Sequence, residues 1–301
     1  MKLYFYGADR CVTGSCHMLE AAGRKILVDC GLQQGRDEFD NADLPFHPGE
    51  IDYVIVTHAH IDHSGRVPML IKQGLQECVI CGGAEEVNKY SVGNFDALNA
   101  FSTREDDPTK ASRPFDKNRD GLVPSGGAAT VILESYESAV KRGATILGEV
   151  VGYGFSSNGD HISVPNVDGP KRSLQMAIRG AGIALEDIKY VNAHATSTPV
   201  GDLNEAKAIA EVFGEHKPYV ASTKSFTGHE MWMAGASEIV YSMLMMQNNF
   251  IAANLNFEEP DEASVNINIP TKRIDMEFDT FLSNSFGFGG TNSSLIVKKF
   301  K

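Results

Sequence analysis

The sequence is poor in positive charge and in long apolar runs, and each shortage excludes a class of protein. Its 301 residues carry 27 Lys and Arg against 39 Asp and Glu, a formal net charge of -12 at pH 7. Phosphate contacts need a surplus of cationic side chains, so this balance argues against bulk binding of nucleic acid. No apolar run reaches the roughly 18 residues of a membrane span, and the apolar start is too short for a signal peptide. We therefore expect a globular, cytoplasmic protein that makes no use of a membrane.

Cysteine is missing from most of the chain. The five cysteines all lie at or before Cys81 and do not form two C-x-x-C pairs, so neither a disulfide framework nor a structural zinc cluster is expected. Hydrophobic residues make up 42% of the sequence, which is enough to bury a substantial core. Any thiol chemistry has to come from the front of the chain.

Short β-rich runs separated by glycines make up that front. Residues 2–6, 17–20 and 25–29 form such runs, and their spacing is typical of an antiparallel meander. Residues 52–57 then predict a buried strand. It leads directly into the segment His58-Ala-His-Ile-Asp-His63, which places three imidazoles and a carboxylate within six residues, a ligand set that zinc prefers.

This motif, together with residues 6–16 and 29–35, resembles the metallo-β-lactamase superfamily and in particular its RNA-processing exonuclease branch. The resemblance covers residues 1 to about 74. It implies that one metal would be bound by His58 and His60 and a second by Asp62 and His63. The remaining ligands of that family have no match after residue 74. Each metal would then have two protein ligands, whereas a catalytic zinc normally has three plus water.

The rear of the chain predicts strands that alternate with helices. After Gly148 we expect a βαβαβα unit closed by two strands, at residues 281–286 and 293–299. Carboxyl ends of parallel strands meet at one edge of a sheet, where loops carry function. His194 ends one predicted strand and His229 follows the next. The sequence therefore predicts that these two histidines lie side by side.

Helix boundaries in this region are marked by capping residues and glycines. A first helix is predicted near residues 171–181, before Gly182. A second is predicted to open on a capping box at residues 202–205 and to end at Gly214. A third, at residues 231–247, is apolar nearly all round and predicts a helix buried in the middle of a layered domain.

Many ordered motifs from about residue 70 to the end resemble the β-ketoacyl-acyl-carrier-protein synthases of fatty-acid synthesis. They lie at residues 78–86, 112–134, 192–198, 222–238 and 287–290. The resemblance implies an α/β, thiolase-like layered αβαβα fold that is complete in its second half, with a metallo-β-lactamase-like β-rich fragment at the N-terminus. It divides the chain into a fragment at residues 1–74 and a synthase-like region at residues 75–301. Within that region, residues 75–146 would be the remnant of the first thiolase half and residues 147–301 the second half.

The same resemblance implies roles for individual residues. In that family two neutral imidazoles donate to the malonyl thioester carbonyl and stabilise the enolate that forms as carbon dioxide leaves. The matching residues here are His194 and His229 for the imidazoles, Lys224 and Glu238 for a supporting ion pair, Thr196 and Thr198 for contacts to the pantetheine arm, and Phe288 for a gate near the acyl pocket. We expect a neighbouring helix N-terminus to disfavour the charged form of His229.

The nucleophilic cysteine of the family has no counterpart. In the family it lies on a buried helix before the segment that matches Cys78, and here residues 1–70 take that place. Cys78 and Cys81 fall in a predicted strand that runs into a turn at residues 82–83, so both are expected to be buried structural thiols. Full acyl transfer should therefore be impaired, and decarboxylation of a malonyl thioester is the partial reaction that could survive.

Three interpretations follow. The first is a synthase-like protein that needs no cofactor and takes thioesters of acyl carrier protein, with a basic cluster at Arg113, Lys117 and Arg119 that either docks this carrier or forms a solvated loop. The family forms homodimers through the half that is replaced here. The second interpretation is a zinc-dependent hydrolase or ribonuclease that uses the motif at residues 58–63 and acts on nucleic acid. The third is an inactive fusion with a loosely packed front, because a meander does not easily supply parallel strands to a layered sheet.

Overall fold

A computed structural model describes residues 1–8, 14–31, 44, 46–57, 77–158 and 164–301. The strands are β1 (Lys2–Gly7), β2 (Cys16–Ala21), β3 (Arg24–Val28), β4 (Tyr53–Val56), β5 (Cys78–Glu85), β6 (Gly127–Glu134), β7 (Glu149–Ser157), β8 (Tyr190–Asn192), β9 (Tyr219–Ala221), β10 (Phe250–Ile251), β11 (Ile274–Asp275), β12 (Thr280–Gly287) and β13 (Thr291–Lys298). The α-helices are α1 (Lys89–Asp96), α2 (Tyr136–Lys141), α3 (Asp168–Ala181), α4 (Pro199–Phe213), α5 (Lys224–Thr227) and α6 (Ala234–Gln247). None of these helices combines the length and the hydropathy needed to span a membrane.

The chain divides into two compact units. The first unit contains Met1–Glu85, Gly127–Thr145 and Trp232–Ser237, and the second contains Glu86–Gly126, Ile146–Met231 and Glu238–Lys301. The first unit holds a six-stranded sheet in the order β1-β2-β3-β4-β5-β6. The second unit holds a five-stranded sheet in the order β7-β13-β12-β8-β9 and the β10-β11 pair. The division of the chain at residue 74 stays a prediction.

The sheet of the first unit carries strands from both sides of residue 74. Strands β1, β2 and β3 pair antiparallel, which confirms the predicted meander. Strands β3, β4 and β5 then pair parallel, and β5 pairs antiparallel with β6. The expectation that a meander does not easily supply parallel strands is therefore wrong for β3, which pairs parallel with β4. The connections at residues 29–52 and 57–77 are long enough for the crossovers that parallel neighbours require.

No turn occurs at the double glycine of β5. Gly82 pairs with Thr130 and Gly83 with Ala129, and the strand continues to Glu85. The predicted turn is wrong because these glycines serve close packing. A Cβ at Gly82 would lie 2.5 Å from the carbonyl oxygen of Ala129, and one at Gly83 would lie 2.8 Å from the Cβ of Met233.

One face of the first unit's sheet forms its core. The buried side chains there are Cys16, Met18, Leu27, Cys30, Ile51, Val54, Val56 and Val79. Successive residues of a strand point to opposite faces. In β4, Tyr53 and Ile55 are accordingly 44% and 39% exposed, so the strand that the sequence predicts as buried is buried on one face only.

The second unit follows the predicted order of strands and helices. Strands β8 and β9 pair parallel, β12 pairs parallel with β8, and β13 pairs antiparallel with β12 and with β7. This arrangement confirms an alternating unit closed by two strands. Its core is formed by apolar residues of the sheet, α3 and α4, among them Leu174, Val191, Ile209, Val220, Leu282 and Ile296.

Helix α4 starts earlier than the sequence predicts. Pro199 occupies its first turn and Thr198 its N-cap position, because proline is pre-organised for the first helical position. The predicted capping box at Asp202 and Glu205 is wrong, since both carboxylates accept hydrogen bonds from other segments. The predicted helix ends are confirmed, because α3 ends before Gly182, whose φ of 61° is left-handed, and α4 ends before Gly214.

Helix α6 is shorter and less buried than expected. A 3-10 turn at Met231–Met233 precedes it, and Leu244 is 49% exposed. The buried side chains that follow Ser237 are Glu238, Ser242, Met245 and Met246. The helix therefore has a buried face that carries a carboxylate, rather than the fully buried apolar surface that the sequence predicts.

Candidate active site

The carboxyl ends of β8 and β9 lie next to each other in the second unit. Tyr190 pairs with Tyr219 and Asn192 with Ala221, and the chain continues from these ends into His194 and Lys224. The backbone N–H of Ala193 donates to the carbonyl of Ala221 at 2.9 Å, which extends the pairing beyond the strands. The predicted neighbourhood of these two strand ends is confirmed.

The imidazoles of His194 and His229 are in contact. Their ring centroids are 5.5 Å apart, with an interplanar angle of 85°. The backbone N–H of His229 donates to the carbonyl of Val123 at 2.7 Å. The preceding Gly228 has a φ of 73°, and a Cβ there would lie 2.8 Å from the same carbonyl oxygen. This glycine therefore allows the close approach that places His229 beside His194.

Both imidazoles are neutral at physiological pH. Burial, together with the nearby Lys224 ammonium, lowers the pKa of His229 to about 3. Burial, the same ammonium and His229 hold the pKa of His194 well below 6.5. A neutral imidazole can donate one hydrogen bond while its second nitrogen accepts. The neutral form expected for His229 is confirmed, but its main cause is burial and not the helix N-terminus that the sequence suggests.

The depressed pKa of His229 predicts a stability that falls with acidification. The unfolded state binds a proton near pH 6.5, while the folded state does so only near pH 3, so stability is lost as pH falls through this window. We expect wild-type protein to lose about 1 kcal/mol per pH unit more than the His229→Gln variant between pH 6.5 and 5. Urea unfolding at both pH values measures the difference. Equal slopes would contradict the assignment.

Three buried carboxyls titrate in the opposite direction, and their contribution must be removed in that experiment. Burial raises the pKa of Asp202 to about 6. Burial raises the pKa of Glu205 to about 7 and that of Glu238 to about 7. The folded state therefore binds more protons than the unfolded state between about pH 4.5 and 7, and these groups favour folding as pH falls. The comparison with His229→Gln leaves all three carboxyls in place, so the difference between the two proteins isolates the imidazole.

Lys224 and Glu238 form an ion pair that is almost completely buried. Their side chains are 2% and 1% exposed, and the ammonium donates to Oε1 of the carboxylate. Within the described residues, Oε2 of Glu238 has no hydrogen-bond partner. The amide of Asn192 donates to Ser242 Oγ at 3.0 Å and to the backbone carbonyl of Glu238 at 3.3 Å. The ion pair expected between Lys224 and Glu238 is therefore present in the structure.

Glu205 is a site residue that the sequence analysis did not identify. Its carboxylate accepts hydrogen bonds from the backbone N–H groups of His194 at 3.0 Å and Ala195 at 2.7 Å, and from the Asn284 amide at 3.0 Å. It therefore fixes the backbone from which the His194 imidazole extends. The sequence offers only a glutamate three residues after Asp202, and that spacing predicts a helix cap instead.

Thr196 and Thr198 bring their hydroxyls together, with the Oγ1 atoms 3.1 Å apart. The ring centroid of Phe286 is 6.1 Å from that of His194. Phe288 lies in the 3-10 turn at Phe288–Gly290, and its side chain is outside the described part of the structure. The structure thus places both threonines within four residues of His194 along one loop.

The predicted metal ligands His58, His60, Asp62 and His63 lie outside the described residues. Among the residues that are described, no group of three or more His, Cys, Asp or Glu side chains is arranged to hold a metal ion. The zinc site therefore remains a prediction from the sequence.

The basic cluster predicted at residues 113–119 is not a basic surface. Arg113 and Arg119 are 3% and 8% exposed, and both are paired with carboxylates. Lys117 is exposed but forms an ion pair with Glu259 at 2.8 Å. The docking and solvated-loop interpretations of the two arginines are both wrong, because both side chains are buried and neutralised, Arg113 by Asp116 and Glu258 and Arg119 by Asp261.

The thiols in β5 are poor nucleophiles. Burial, with a smaller contribution from Cys78, raises the pKa of Cys81 to about 11, and burial also raises the pKa of Cys78. At pH 8 only about one Cys81 thiol in a thousand is ionised. We expect iodoacetamide to alkylate Cys81 about a hundredfold more slowly in the folded protein than in urea. Mass spectrometry of its peptide measures both rates, and equal rates would contradict the assignment.

Comparison with known proteins gives two family matches and many structural neighbours. Residues 147–258 match the model of the β-ketoacyl synthase C-terminal domain, and residues 9–134 match that of the metallo-β-lactamase superfamily. A β-ketoacyl synthase from Burkholderia phymatum STM815 superposes with a TM-score of 0.75 at 42% identity, over 79% of this chain and 58% of that chain. This is the thiolase-like ketosynthase fold. The predicted fold class is therefore confirmed, and its β-rich front agrees with the second family match.

The curated relatives of this chain include 3-oxoacyl-[acyl-carrier-protein] synthases 1 and 2. The 3-oxoacyl-[acyl-carrier-protein] synthase 1 of Escherichia coli (strain K12) is 43% identical over 262 residues, which cover 85% of this chain and 63% of that protein. The protein of the same name from Haemophilus influenzae is 45% identical over 238 residues, or 78% and 58% of the two chains. The chain thus spans less than two thirds of the length of these relatives.

A further ketosynthase neighbour was solved with a carrier. In the AntDE:AntF structure a type II PKS acyl-carrier protein is in complex with its ketosynthase. It is 33% identical, has a TM-score of 0.73, and is matched over 77% of this chain and 59% of that chain.

Proposed function

We propose that this chain binds malonyl thioesters of acyl carrier protein and decarboxylates them at the His194–His229 pair. The observation that carries the proposal is the contact of two neutral imidazoles, 5.5 Å apart, at adjoining strand ends. The names of the curated relatives and the AntDE:AntF complex support the choice of a carrier-bound thioester. Thr196 and Thr198 are proposed to contact the pantetheine arm, and Phe288 to gate the acyl pocket.

The proposed reaction needs only groups of the second unit. The bond between the malonyl carboxylate and C2 breaks, and its electron pair moves to form an enolate whose negative charge lies on the thioester oxygen. N–H groups of His194 and His229 donate to that oxygen, and fixed donors of this kind stabilise developing charge. A proton from water then adds to C2. The products are carbon dioxide and an acetyl thioester.

The buried Lys224 supports this chemistry through its charge. Burial is the main cause of the neutral imidazoles, and the nearby ammonium adds to it because it disfavours imidazolium. Glu238 compensates the same charge in the core. Condensation with a second acyl group is not included in the proposal, since no cysteine follows Cys81 and the thiols in β5 have raised pKa values.

The test is release of radiolabelled carbon dioxide from malonyl-carrier protein. Purified chain is incubated with the labelled thioester, and the acetyl-carrier protein formed is quantified by mass spectrometry. The His229→Ala variant is the control, because it removes one donor and leaves Lys224 and Glu238 in place. The proposal would be refuted if wild type released no more carbon dioxide than the His229→Ala variant.

The match of residues 9–134 to the metallo-β-lactamase model favours a second proposal, a zinc-dependent hydrolase or ribonuclease that uses residues 58–63. The start of this segment is anchored, because the buried Asp29 accepts from the N–H and hydroxyl of Thr57 at 2.7 and 2.9 Å. Elemental analysis after dialysis tests it. Two tightly held zinc ions per chain, reduced in a His60→Ala variant, are expected, and a metal-free chain would exclude it.

We also propose that the chain joins parts of these two families near residues 70–76. The two family models match different stretches, residues 9–134 and 147–258, which supports the joining of two families; the place near residues 70–76 rests on the sequence motifs alone. A sequencing read across codons 65 to 85 of the source DNA tests it, and a different sequence at those codons would contradict it.

A further inference from the structure

The loop from β8 to α4 holds a residue in an unfavourable backbone conformation. Ser197 lies between the two threonines and has a φ of 72°, a left-handed value that non-glycine residues adopt only where the surroundings determine it. Its N–H donates to Asp202 Oδ2 at 3.1 Å, and its hydroxyl accepts from the N–H of Arg113 at 3.1 Å. On either side of Ser197, the hydroxyls of Thr196 and Thr198 lie 3.1 Å apart.

One buried guanidinium holds the end of this loop. Arg119, whose side chain is 4% exposed, donates from Nε to the carbonyl of Thr198 at 3.0 Å and from Nη2 to that of Pro199 at 2.7 Å. Two consecutive carbonyls are thus bound by one rigid fork. Arginine presents its donors in a fixed plane, which lysine cannot reproduce.

The guanidinium is itself fixed by distant segments. Its Nη1 donates to the carbonyl of Asp116 at 2.8 Å and to Asp261 Oδ2 at 2.6 Å. The Asp116 carboxylate accepts from Arg113 Nε at 2.9 Å and from the N–H groups of Glu258 and Glu259 at 2.8 and 2.9 Å. Arg119 therefore connects the threonine loop to a network that is buried and closed by charge-assisted hydrogen bonds.

We infer that Arg119 is a positioning residue, which holds the Thr196 and Thr198 hydroxyls in the arrangement that binds the pantetheine arm of the thioester. The inference rests on the proposed function for the identity of the arm. The loop is ordered before the substrate arrives, so binding of the pantetheine arm does not include the entropic cost of ordering the loop. Arg119 does not touch the substrate and acts through the carbonyls of Thr198 and Pro199.

The test compares carrier protein with and without its arm. We expect wild type to bind malonyl-carrier protein at least about tenfold more tightly than the apo carrier, and we expect Arg119→Lys to remove most of this difference. Lysine keeps the positive charge but cannot bind two carbonyls and Asp261 in one plane. Arg273→Lys is the matched control, because Arg273 pairs with Asp275 on the surface. Biolayer interferometry measures the two affinities, for malonyl-carrier protein and for the apo carrier, of each of the three proteins.

Hydrogen exchange supplies a readout that needs no substrate. In Arg119→Lys the peptide covering residues 195–203 should exchange faster, while peptides of β12 and β13 keep their wild-type rates. If carbon dioxide release is detected, KM should rise about tenfold with kcat within twofold.

Three outcomes would overturn the inference. If wild type binds malonyl-carrier protein and the apo carrier equally well, it has no binding site for the pantetheine arm. This result is independent of whether the protein decarboxylates the thioester. An Arg119→Lys variant with unchanged exchange at residues 195–203 shows that the loop does not depend on the guanidinium. Faster exchange in every peptide shows a role in global stability alone.

Discussion

Replacing Lys224 with methionine should lower the free energy of unfolding by about 3–5 kcal/mol at pH 8. The variant leaves the Glu238 carboxylate 1% exposed and without its cation, and an uncompensated buried charge is strongly destabilising. Methionine keeps the length of the aliphatic stem, so little packing is lost. Urea unfolding followed by far-UV circular dichroism gives the difference.

A double variant separates charge from shape. Lys224→Met combined with Glu238→Leu removes both charges, and replacing a buried pair by apolar residues is often neutral. We therefore expect the double variant to recover most of the lost stability. The single variant should also lose less at pH 5.5, because the pKa of Glu238 is already about 7 beside Lys224 and rises further without the ammonium, so the carboxyl is protonated there. A single variant that is as stable as wild type at pH 8 would refute this account.

Alanine at His194 should lower the rate of carbon dioxide release about 10²- to 10³-fold, and alanine at His229 should do the same. Each substitution removes one of the two donors proposed for the enolate oxygen. Residues that act on one atom are not additive, so the double variant should lose much less than the product of the two effects. Single-turnover measurements with labelled malonyl-carrier protein give these rates.

Glutamine variants distinguish hydrogen bonding from shape at the same positions. His229→Gln keeps an N–H donor and should retain more activity than His229→Ala. His216→Ala is a control outside the site, since its ring contacts the carbonyl of Ile188, and its rate should stay within about twofold of wild type. Losses below fivefold in both alanine variants would show that the imidazole pair does not carry the reaction.

The sequence predicts best where local pattern and strand order decide the structure. The neighbouring ends of β8 and β9 follow from alternating strands and helices, and this order is enough to bring His194 to His229. The termination of α3 at Gly182 and of α4 at Gly214 is predicted for a similar reason, because the signal lies in the residue itself.

Prediction fails where a residue's partner is distant in the chain. Asp202 and Glu205 have the spacing of a helix cap, but their hydrogen bonds go to other segments of the second unit. Arg113 and Arg119 look like surface charge until Glu258 and Asp261 are placed beside them. The glycines of β5 look like a turn because the close approach of Met233 to Gly83 cannot be seen from nearby residues.

The hydrogen bonds of Asp116 also determine when the site can form. Its carboxylate binds Arg113 and the backbone amides of Glu258 and Glu259. These hydrogen bonds close a chain loop from Asp116 to Glu258, which is more than half the sequence range of the second unit. Closing a loop of this size costs chain entropy before any contact compensates for it. A nascent chain whose synthesis has not reached Glu258 lacks the backbone amides of Glu258 and Glu259. It cannot yet fix Arg119, which holds the loop of Thr196 and Thr198. Assembly of this site is therefore a late event of synthesis, completed only when the C-terminal part of the chain has emerged.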